Sequence, residues 1–239
     1  MINSLEKKWK MCKHAVDRRH GQLVDITIVE YDDADLLHFG FFVTLTNKSS
    51  QLKRLEVSFC YEDPYERWVD ALKKLPLLEE LSLYSTDFPI EAVEIATHYC
   101  PMLRTLKLNV NSIKFEEEEE EFHKIYNERA ISIGQNLPHL RSLELIGNKI
   151  INVGLQAILD KCRLLESLDL RSCFFLHLEE EDPNLIGKKY LDKMKCVKVK
   201  MPKDSLQGCM YRMDFTDYND IIHRFNSEPN MENLKKFLL

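Results

Sequence analysis

The chain has 239 residues, of which 44% are hydrophobic and 10% aromatic, a composition that can bury a sizeable globular core. Its formal net charge is -6, and the six glutamates of the run Glu116–Glu121 account for all of it, so no broad basic surface for nucleic acid is expected. Neither a signal sequence nor a membrane-spanning apolar stretch is visible, so we expect a soluble protein of the cytoplasm or nucleus, without membrane or nucleic-acid partners.

The N-terminal residues 1–22 are predicted to form a capping helix. Leu5, Trp9, Cys12 and Val16 recur at spacings of four, three and four, which places them on one face of a helix. A helix with one apolar face can close the exposed end of whatever core follows it in the chain.

A repeated pattern, LxxLxL, fills residues 23–200. Most successive copies start 25 to 29 residues apart, which is the period of leucine-rich repeats, and one interval is 37. The first positions of the seven copies are Leu23, Leu52, Leu78, Leu103, Leu140, Leu165 and Met194. About seven stacked repeats are therefore predicted, each too small to bury its own apolar face without a neighbour.

Amphipathic stretches separate the copies, among them "YERWVDALKKL", "IEAVEIATHYC", "NERAISIGQNL" and "VGLQAILDKC". Their apolar residues recur at three and four, which indicates one short helix per repeat. A strand followed by a helix, many times over, predicts an α/β leucine-rich-repeat solenoid. In this fold a curved right-handed stack has parallel strands on its concave face and short helices on its convex face.

Short polar residues and cysteines occupy fixed places in the repeat. Cys60, Thr86, Asn111, Asn148 and Cys173 stand three residues after the last apolar position of their strands, where a tight turn needs a small hydrogen-bonding partner. Cys100 and Cys162 each precede the next first leucine by three residues. Seven cysteines without a CxxC pair also argue against a disulfide framework or a zinc site, so we assign these cysteines to packing.

The glutamate run lies where the spacing between copies increases to 37 residues. The same register resumes at Leu140, so the run is predicted to be an acidic insertion near residues 111–126 inside one continuous solenoid, before a helix that begins near Asn127. A solvated loop is expected there, with contact to a basic partner segment as the alternative. Residues 201–239 lose the repeat and are predicted to be a C-terminal cap or tail.

The segments "CPMLRTLKLNV" and "LPHLRSLELIGNKIINVGLQAILDKCRLLESLDLRSCF" resemble the cysteine-containing repeats of plant F-box/leucine-rich-repeat proteins. The resemblance covers about residues 10–200. It implies a substrate-recognition module of an SCF-type ubiquitin ligase, in which an F-box binds a Skp-type adaptor and the repeats bind the target protein. Only 22 residues precede the first repeat strand, so an adaptor is expected only if an F-box is supplied upstream. A repeat-only scaffold or competitor without ligase activity is the alternative.

The residues between the leucines of each strand are predicted to face outward on the concave side. The Glu56 column is predicted to contain Asp25, Glu56, Ser82, Lys107, Glu144, Asp169 and Lys198. The Tyr84 column is predicted to contain Val29, Ser58, Tyr84, Asn109, Ile146, Arg171 and Lys200. The candidate protein-binding residues are Glu56, Ser58, Tyr84, Lys107, Asn109, Glu144, Ile146, Asp169 and Arg171. Tyr84, Ile146 and Arg171 are the expected anchors, because exposed aromatic, aliphatic and guanidinium groups often anchor interfaces.

Motifs of catalysis and cofactor binding are absent from the sequence, which has no GxGxxG, P-loop, HExxH or GxSxG. His177 precedes the acidic stretch Glu179–Asp182, but acidic residues beside a histidine are common on surfaces, so no metal site is assigned. We therefore predict a non-catalytic monomer without a cofactor, whose partner is a protein of unknown identity.

Overall fold

The repeats form one seven-stranded parallel sheet whose strands follow the order of the chain. The computed structural model describes residues 22–29, 49–58, 65–86, 88–110, 120–178, 188–207 and 209. The strands are β1 (Asp25–Val29), β2 (Arg54–Ser58), β3 (Glu80–Tyr84), β4 (Thr105–Asn109), β5 (Ser142–Glu144), β6 (Ser167–Asp169) and β7 (Lys198–Lys200). Each strand pairs with the next copy of itself, so the predicted α/β leucine-rich-repeat solenoid is confirmed.

From β2 to β7, one described helix lies between each strand and the next. They are α1 (Tyr65–Leu72), α2 (Ile90–Tyr99), α3 (Glu120–Asn136), α4 (Asn152–Lys161) and α5 (Lys188–Lys195). The repeat leucines point between strands and helices, and the inner repeats bury them almost completely. These side chains make one continuous core along the stack, because each repeat covers the apolar face of the previous one.

A left-handed residue ends the strand in three repeats and turns the chain towards the helix. Ser85, Gly147 and Ser172 occupy the same repeat position, and their φ angles are 43°, 73° and 60°. The next residue then bonds to the previous repeat. Asn148 Nδ2 donates to the carbonyl of Leu108, and Cys173 Sγ donates to the carbonyl of Leu145. These bonds satisfy backbone oxygens that the turn would otherwise leave buried and unpaired.

Thr86 makes the equivalent bond in an earlier repeat, since its hydroxyl lies 3.3 Å from the carbonyl oxygen of Val57. A second set of bonds joins the helical layer. Cys100 Sγ lies 3.6 Å from the carbonyl oxygen of Leu72, and Cys162 Sγ lies 3.6 Å from that of Leu137. Each thiol is buried against the C-terminal end of the helix of the preceding repeat, which agrees with the packing role inferred from the spacing. Cys60 and Asn111 lie outside the described residues.

Helices α3 and α4 approach each other closely. A Cβ atom on Gly134 would lie 2.7 Å from the carbonyl oxygen of Ala157, and one on Gly154 would lie 2.5 Å from Oδ1 of Asn127. That same Oδ1 accepts hydrogen bonds from the backbone N–H groups of Ile151 and Gly154, at 3.2 and 3.0 Å. Asn127 therefore caps the N-terminus of the neighbouring helix, where the residue at the cap position, Ile151, has no side-chain oxygen.

Two helical predictions need correction. The expectation that a helix begins near Asn127 is wrong, because α3 begins at Glu120 and takes in the last two glutamates of the run. Glutamate is a good helix former and is favourable in the first turn, which explains the earlier start. Helix α5 was not predicted, since only three of its eight residues, Tyr190, Leu191 and Met194, are apolar.

Some of the predicted domain organisation falls outside the described residues. This applies to residues 1–21 of the predicted capping helix, to residues 111–119 of the insertion, and to residues 208 and 210–239 of the C-terminal segment. Between residues 201 and 207 the chain forms a tight turn, in which the N–H of Met201 donates to the Asp204 carboxylate at 2.8 Å and the N–H of Asp204 donates to the carbonyl of Met201 at 3.0 Å. This turn directly follows the last strand.

Candidate protein-binding face

Three columns of side chains cross the concave face at right angles to the strands. The Thr105 column contains Asp25, Arg54, Glu80, Thr105, Ser142, Ser167 and Lys198. The Glu56 column contains Thr27, Glu56, Ser82, Lys107, Glu144, Asp169 and Lys200. The predicted Glu56 column was therefore displaced by two residues at both ends, because Asp25 and Lys198 were expected where the structure has Thr27 and Lys200.

The Tyr84 column is registered as predicted over β1 to β4, through Val29, Ser58, Tyr84 and Asn109. Beyond the short strands β5 and β6 the backbone ladder continues, because the N–H of Val110 donates to the carbonyl of Ile146 and the N–H of Gly147 donates to that of Arg171. The neighbour of Arg171 in this ladder is Pro202 and not the predicted Lys200, because the carbonyl of Pro202 accepts a hydrogen bond from the N–H of Ser172.

The prediction that Tyr84, Ile146 and Arg171 are exposed anchors is wrong. Their exposed fractions are 3%, 5% and 5%, and Ser58 of the same column is fully buried. The strands end at this column and the chain turns back over it, so these side chains pack inside the molecule. Asn109 remains half-buried, and it accepts from the N–H of Ile146 at 3.0 Å through Oδ1.

Arg171 is held by an ion pair inside the molecule. Its Nε donates to Asp169 Oδ1 at 2.9 Å, its Nη2 donates to Oδ2 at 2.6 Å, and its Nη1 donates to the carbonyl of Ser205 at 2.9 Å. Lys200 also donates to Asp169, at 3.0 Å. Burial alone would raise the pKa of Asp169, but the hydrogen bonds from Arg171 and Lys200 outweigh it and hold that pKa below its ordinary value.

The middle of the Glu56 column stays accessible, because Glu56, Lys107 and Glu144 are half-buried. Lys107 Nζ lies 2.6 Å from Glu80 Oε1, and the two side chains are 31% and 27% exposed. Burial would lower the pKa of Lys107, but the hydrogen bond to Glu80 and the charges of Glu144 and Glu56 raise it above its ordinary value. Glu144 also accepts a hydrogen bond from Asn109 Nδ2 at 3.2 Å.

The Thr105 column adds accessible residues that were not predicted as candidates. Thr105, Ser142 and Ser167 are half-buried, and Lys198 is exposed. The repeat pattern contained the signal for three of them, because Thr105, Ser142 and Ser167 each directly precede the second apolar position of their copy, just as the Glu56 column follows it. The accessible face is therefore made of the Thr105 column and of the Glu56 column without Ser82 and Asp169, which are buried. Its residues are polar throughout.

Within the stretches of the chain that the structure describes, no group of three or more histidine, cysteine, aspartate or glutamate side chains is arranged to hold a metal ion. The described helices also include none that has both the length and the apolar character needed to cross a membrane. Several charged groups of the face pair across neighbouring strands, such as Arg54 with Asp25 at 2.7 Å and Lys107 with Glu80 at 2.6 Å. This arrangement presents fixed charges and hydroxyl groups to another molecule.

Comparison with known proteins identifies relatives in Arabidopsis thaliana. The chain is 36% identical over 218 residues to the F-box protein SKIP19, which covers 88% of this chain and 64% of that protein. It is 33% identical over 182 residues to F-box/LRR-repeat protein 9, which covers 74% of this chain and 68% of that protein. The chain thus spans about two thirds of the length of these relatives. No protein-family model matches the chain.

Among solved structures, the C-terminal domain of tropomodulin from Caenorhabditis elegans aligns with a TM-score of 0.43 and 8% sequence identity. The alignment covers 65% of this chain and 92% of that domain.

Proposed function

Because this chain belongs to the F-box/LRR-repeat family, we propose that its repeats are the substrate-recognition module of an SCF-type ubiquitin ligase. The observation that carries the proposal is the accessible concave face, where two columns of charged and hydroxyl side chains cross seven strands in register. Such a face suits protein recognition, since it presents many fixed polar groups to a partner and binding a protein surface does not require a deep pocket. In this proposal the module is non-catalytic and acts as a monomer in the cytoplasm or nucleus.

The size of the face indicates what else contributes. Seven strands about 4.8 Å apart span roughly 29 Å, and the accessible positions cover about 15 Å along each strand, so the strip is on the order of 400 Å². A standard interface takes roughly 800 Å² from each partner. Loops at the strand ends would therefore contribute to target binding, and a Skp-type adaptor would bind through an F-box outside the repeats.

Affinity capture with a blocking variant tests this proposal. Ser142→Trp places a large side chain in the middle of the accessible face, while Val153→Trp makes the same kind of change at an exposed position of α4. The tagged chain would be incubated with plant extract, and the proteins that co-purify with it would be identified by mass spectrometry. We expect a target that the unchanged chain and Val153→Trp recover and that Ser142→Trp loses.

The adaptor is tested separately, because target binding and adaptor binding use different regions of a receptor. The coding sequence upstream of residue 1 is determined, and any F-box that it encodes is added to the expressed protein. Purified Skp-type adaptor is then titrated against this longer protein. Binding of the adaptor supports the ligase role. A captured target without adaptor or cullin would instead support the second candidate, a repeat-only scaffold or competitor.

A further inference from the structure

The C-terminal repeat is strongly basic in an otherwise acidic chain. Residues 188–207 contain seven lysines and two aspartates, a net charge of +5, whereas the whole chain carries -6 and the remaining residues therefore carry -11. This segment supplies α5, β7 and the turn that follows β7. The positive charge is thus concentrated in the last described repeat, at one end of the stack, and only part of it lies on the concave face.

β7 directs two of these lysines onto that face. Lys198 lies opposite Ser167 and Lys200 lies opposite Asp169 in the parallel register, and Val199 between them packs against the core. Lys200 is 56% exposed and bonds to Asp169, which also pairs with Arg171, so this group of one carboxylate and two cations keeps a net positive charge. Lys198 is exposed, and it stands at the end of the Thr105 column.

The C-terminal half of the Thr105 column carries no carboxylate. From Lys198 it continues through Ser167 and Ser142 to Thr105, so one cation is followed by three hydroxyl groups on adjacent strands. We name these four residues the hydroxyl lane. Four strands about 4.8 Å apart give the lane a length of roughly 14 Å, which matches about four residues of extended peptide.

The acidic residues beside the lane are already engaged. Asp169 is bound by Arg171 and Lys200, and Glu144 accepts a hydrogen bond from Asn109. On the other side, Glu166 forms an ion pair with Arg141. An anionic ligand on the lane would therefore meet hydroxyl donors and the ammonium group of Lys198, while Asp169 and Glu166 are paired with cations and Glu144 is hydrogen-bonded to a neutral amide.

We propose that the hydroxyl lane receives an acidic segment of the partner protein, with a carboxylate of that segment bound by Lys198 and others by the hydroxyls of Ser167 and Ser142. This inference rests on the proposed function and names the chemistry of its partner. Opposite charges also speed the encounter and select among partners, because a basic segment would be repelled at this end of the face.

Fluorescence anisotropy with short peptides of defined charge tests the inference. The probes are three fluorescein-labelled octapeptides of alternating glycine with glutamate, serine or lysine, titrated with the full chain at about 50 mM salt. We expect the glutamate peptide to bind at least about tenfold more tightly than the serine peptide. Most of that preference is expected to disappear at about 500 mM salt, since charges more than a few ångströms apart are then screened.

Two charge reversals locate the binding site. Lys198→Glu should weaken binding of the glutamate peptide about tenfold or more, because it places a carboxylate at the end of the lane. Lys161→Glu changes the net charge of the chain equally at an exposed position of α4 and should weaken it less than about twofold. Ser167→Ala should weaken it about threefold through the lost hydroxyl donor.

Three results would overturn the inference: no binding of the glutamate peptide at low salt, equal effects of the two reversals, or a preference for the lysine peptide. The last result would move the partner contact to the glutamates around Lys107 and would leave the proposed recognition function intact. The proposed function itself is tested by whether Ser142→Trp loses the captured target, so the two failures are distinguishable.

Discussion

Arg171 forms a buried ion pair with Asp169, two residues before it in the chain. Its Nε and Nη2 donate to Oδ1 and Oδ2 of Asp169 at 2.9 and 2.6 Å. The guanidinium then reaches Ser205 in the turn after the last strand. Arg171 therefore connects the turn at Ser205 to the sixth repeat. Arginine is a residue type that often anchors interfaces, but Arg171 has a structural role in this protein.

Breaking this pair from one side should be costly. Asp169→Asn leaves the buried Arg171 without its counter-charge, so we expect a loss of about 3 kcal/mol in the free energy of unfolding, measured by urea denaturation. Lys200→Gln removes a half-exposed partner of the same carboxylate and should cost less than about 1 kcal/mol. Equal losses for the two variants would contradict the assigned role of Arg171.

The same pair predicts how stability depends on pH. The pKa of Asp169 is lowered in the folded protein, so its contribution is fully present above the unfolded value of about 3.9. That contribution is lost as the pH falls from this value through the folded one. The stability difference between the unchanged chain and Asp169→Asn should therefore shrink below about pH 4. A difference that stays constant from pH 6 to pH 3 would show that the carboxylate keeps no charge-dependent role.

Thiol reactivity should separate the cysteines of the repeat from Cys196. Burial raises the pKa of Cys100 and Cys173 to about 12 and that of Cys162 to about 11, so these thiols stay protonated and inaccessible. Cys196 is exposed. With iodoacetamide at pH 8, peptide mapping should find Cys196 modified in the native protein and the three buried thiols modified only in urea. Modification of Cys173 at the rate of Cys196 would contradict its place in the core.

The start of helix α3 makes a prediction about the glutamate run. Replacing Glu120 and Glu121 with glycine should cost about 1 kcal/mol or more, because glycine weakens a helix and the favourable charges of the first turn are lost. Replacing the same two residues with alanine removes the charges but keeps the helix propensity, so the cost should be about 0.5 kcal/mol. Urea unfolding without any difference between the two variants would show that these residues add nothing to the helix.

The repeat pattern was sufficient to predict the fold, because each LxxLxL copy combines a buried strand with a fixed spacing to the next. It also located the hydrogen-bonding residues Thr86, Asn148 and Cys173, whose carbonyl partners lie in the preceding repeat. Weak copies were less informative. In the Glu56 column the residues of β1 and β7 were misplaced by two positions. At β1 the pattern itself contained the correct residue, because Thr27 lies between Ile26 and Ile28 as Glu56 lies between Leu55 and Val57. At β7 Val199 pairs with Leu168, two residues later than a copy starting at Met194 implies.

The burial of the Tyr84 column could not be derived from alternation alone. Alternation states which face of a strand a residue occupies, but not where the chain turns over that face. The left-handed residues Ser85, Gly147 and Ser172 place that turn immediately after Tyr84, Ile146 and Arg171. A serine or glycine before the Thr, Asn or Cys position was the available sequence signal. The lysines of β7 were also visible in the sequence, but the balanced net charge outside the glutamate run concealed them.

The central claim is that a protein partner binds on the concave face of the repeats. It is tested most directly by calorimetric titration of the captured target with three proteins, the unchanged chain, Ser142→Trp and Val153→Trp, after thermal unfolding has shown that both variants are folded. We predict that Ser142→Trp weakens binding at least about tenfold and that Val153→Trp leaves it within about twofold. Equal affinities for the two variants, or a loss with Val153→Trp alone, would contradict the claim.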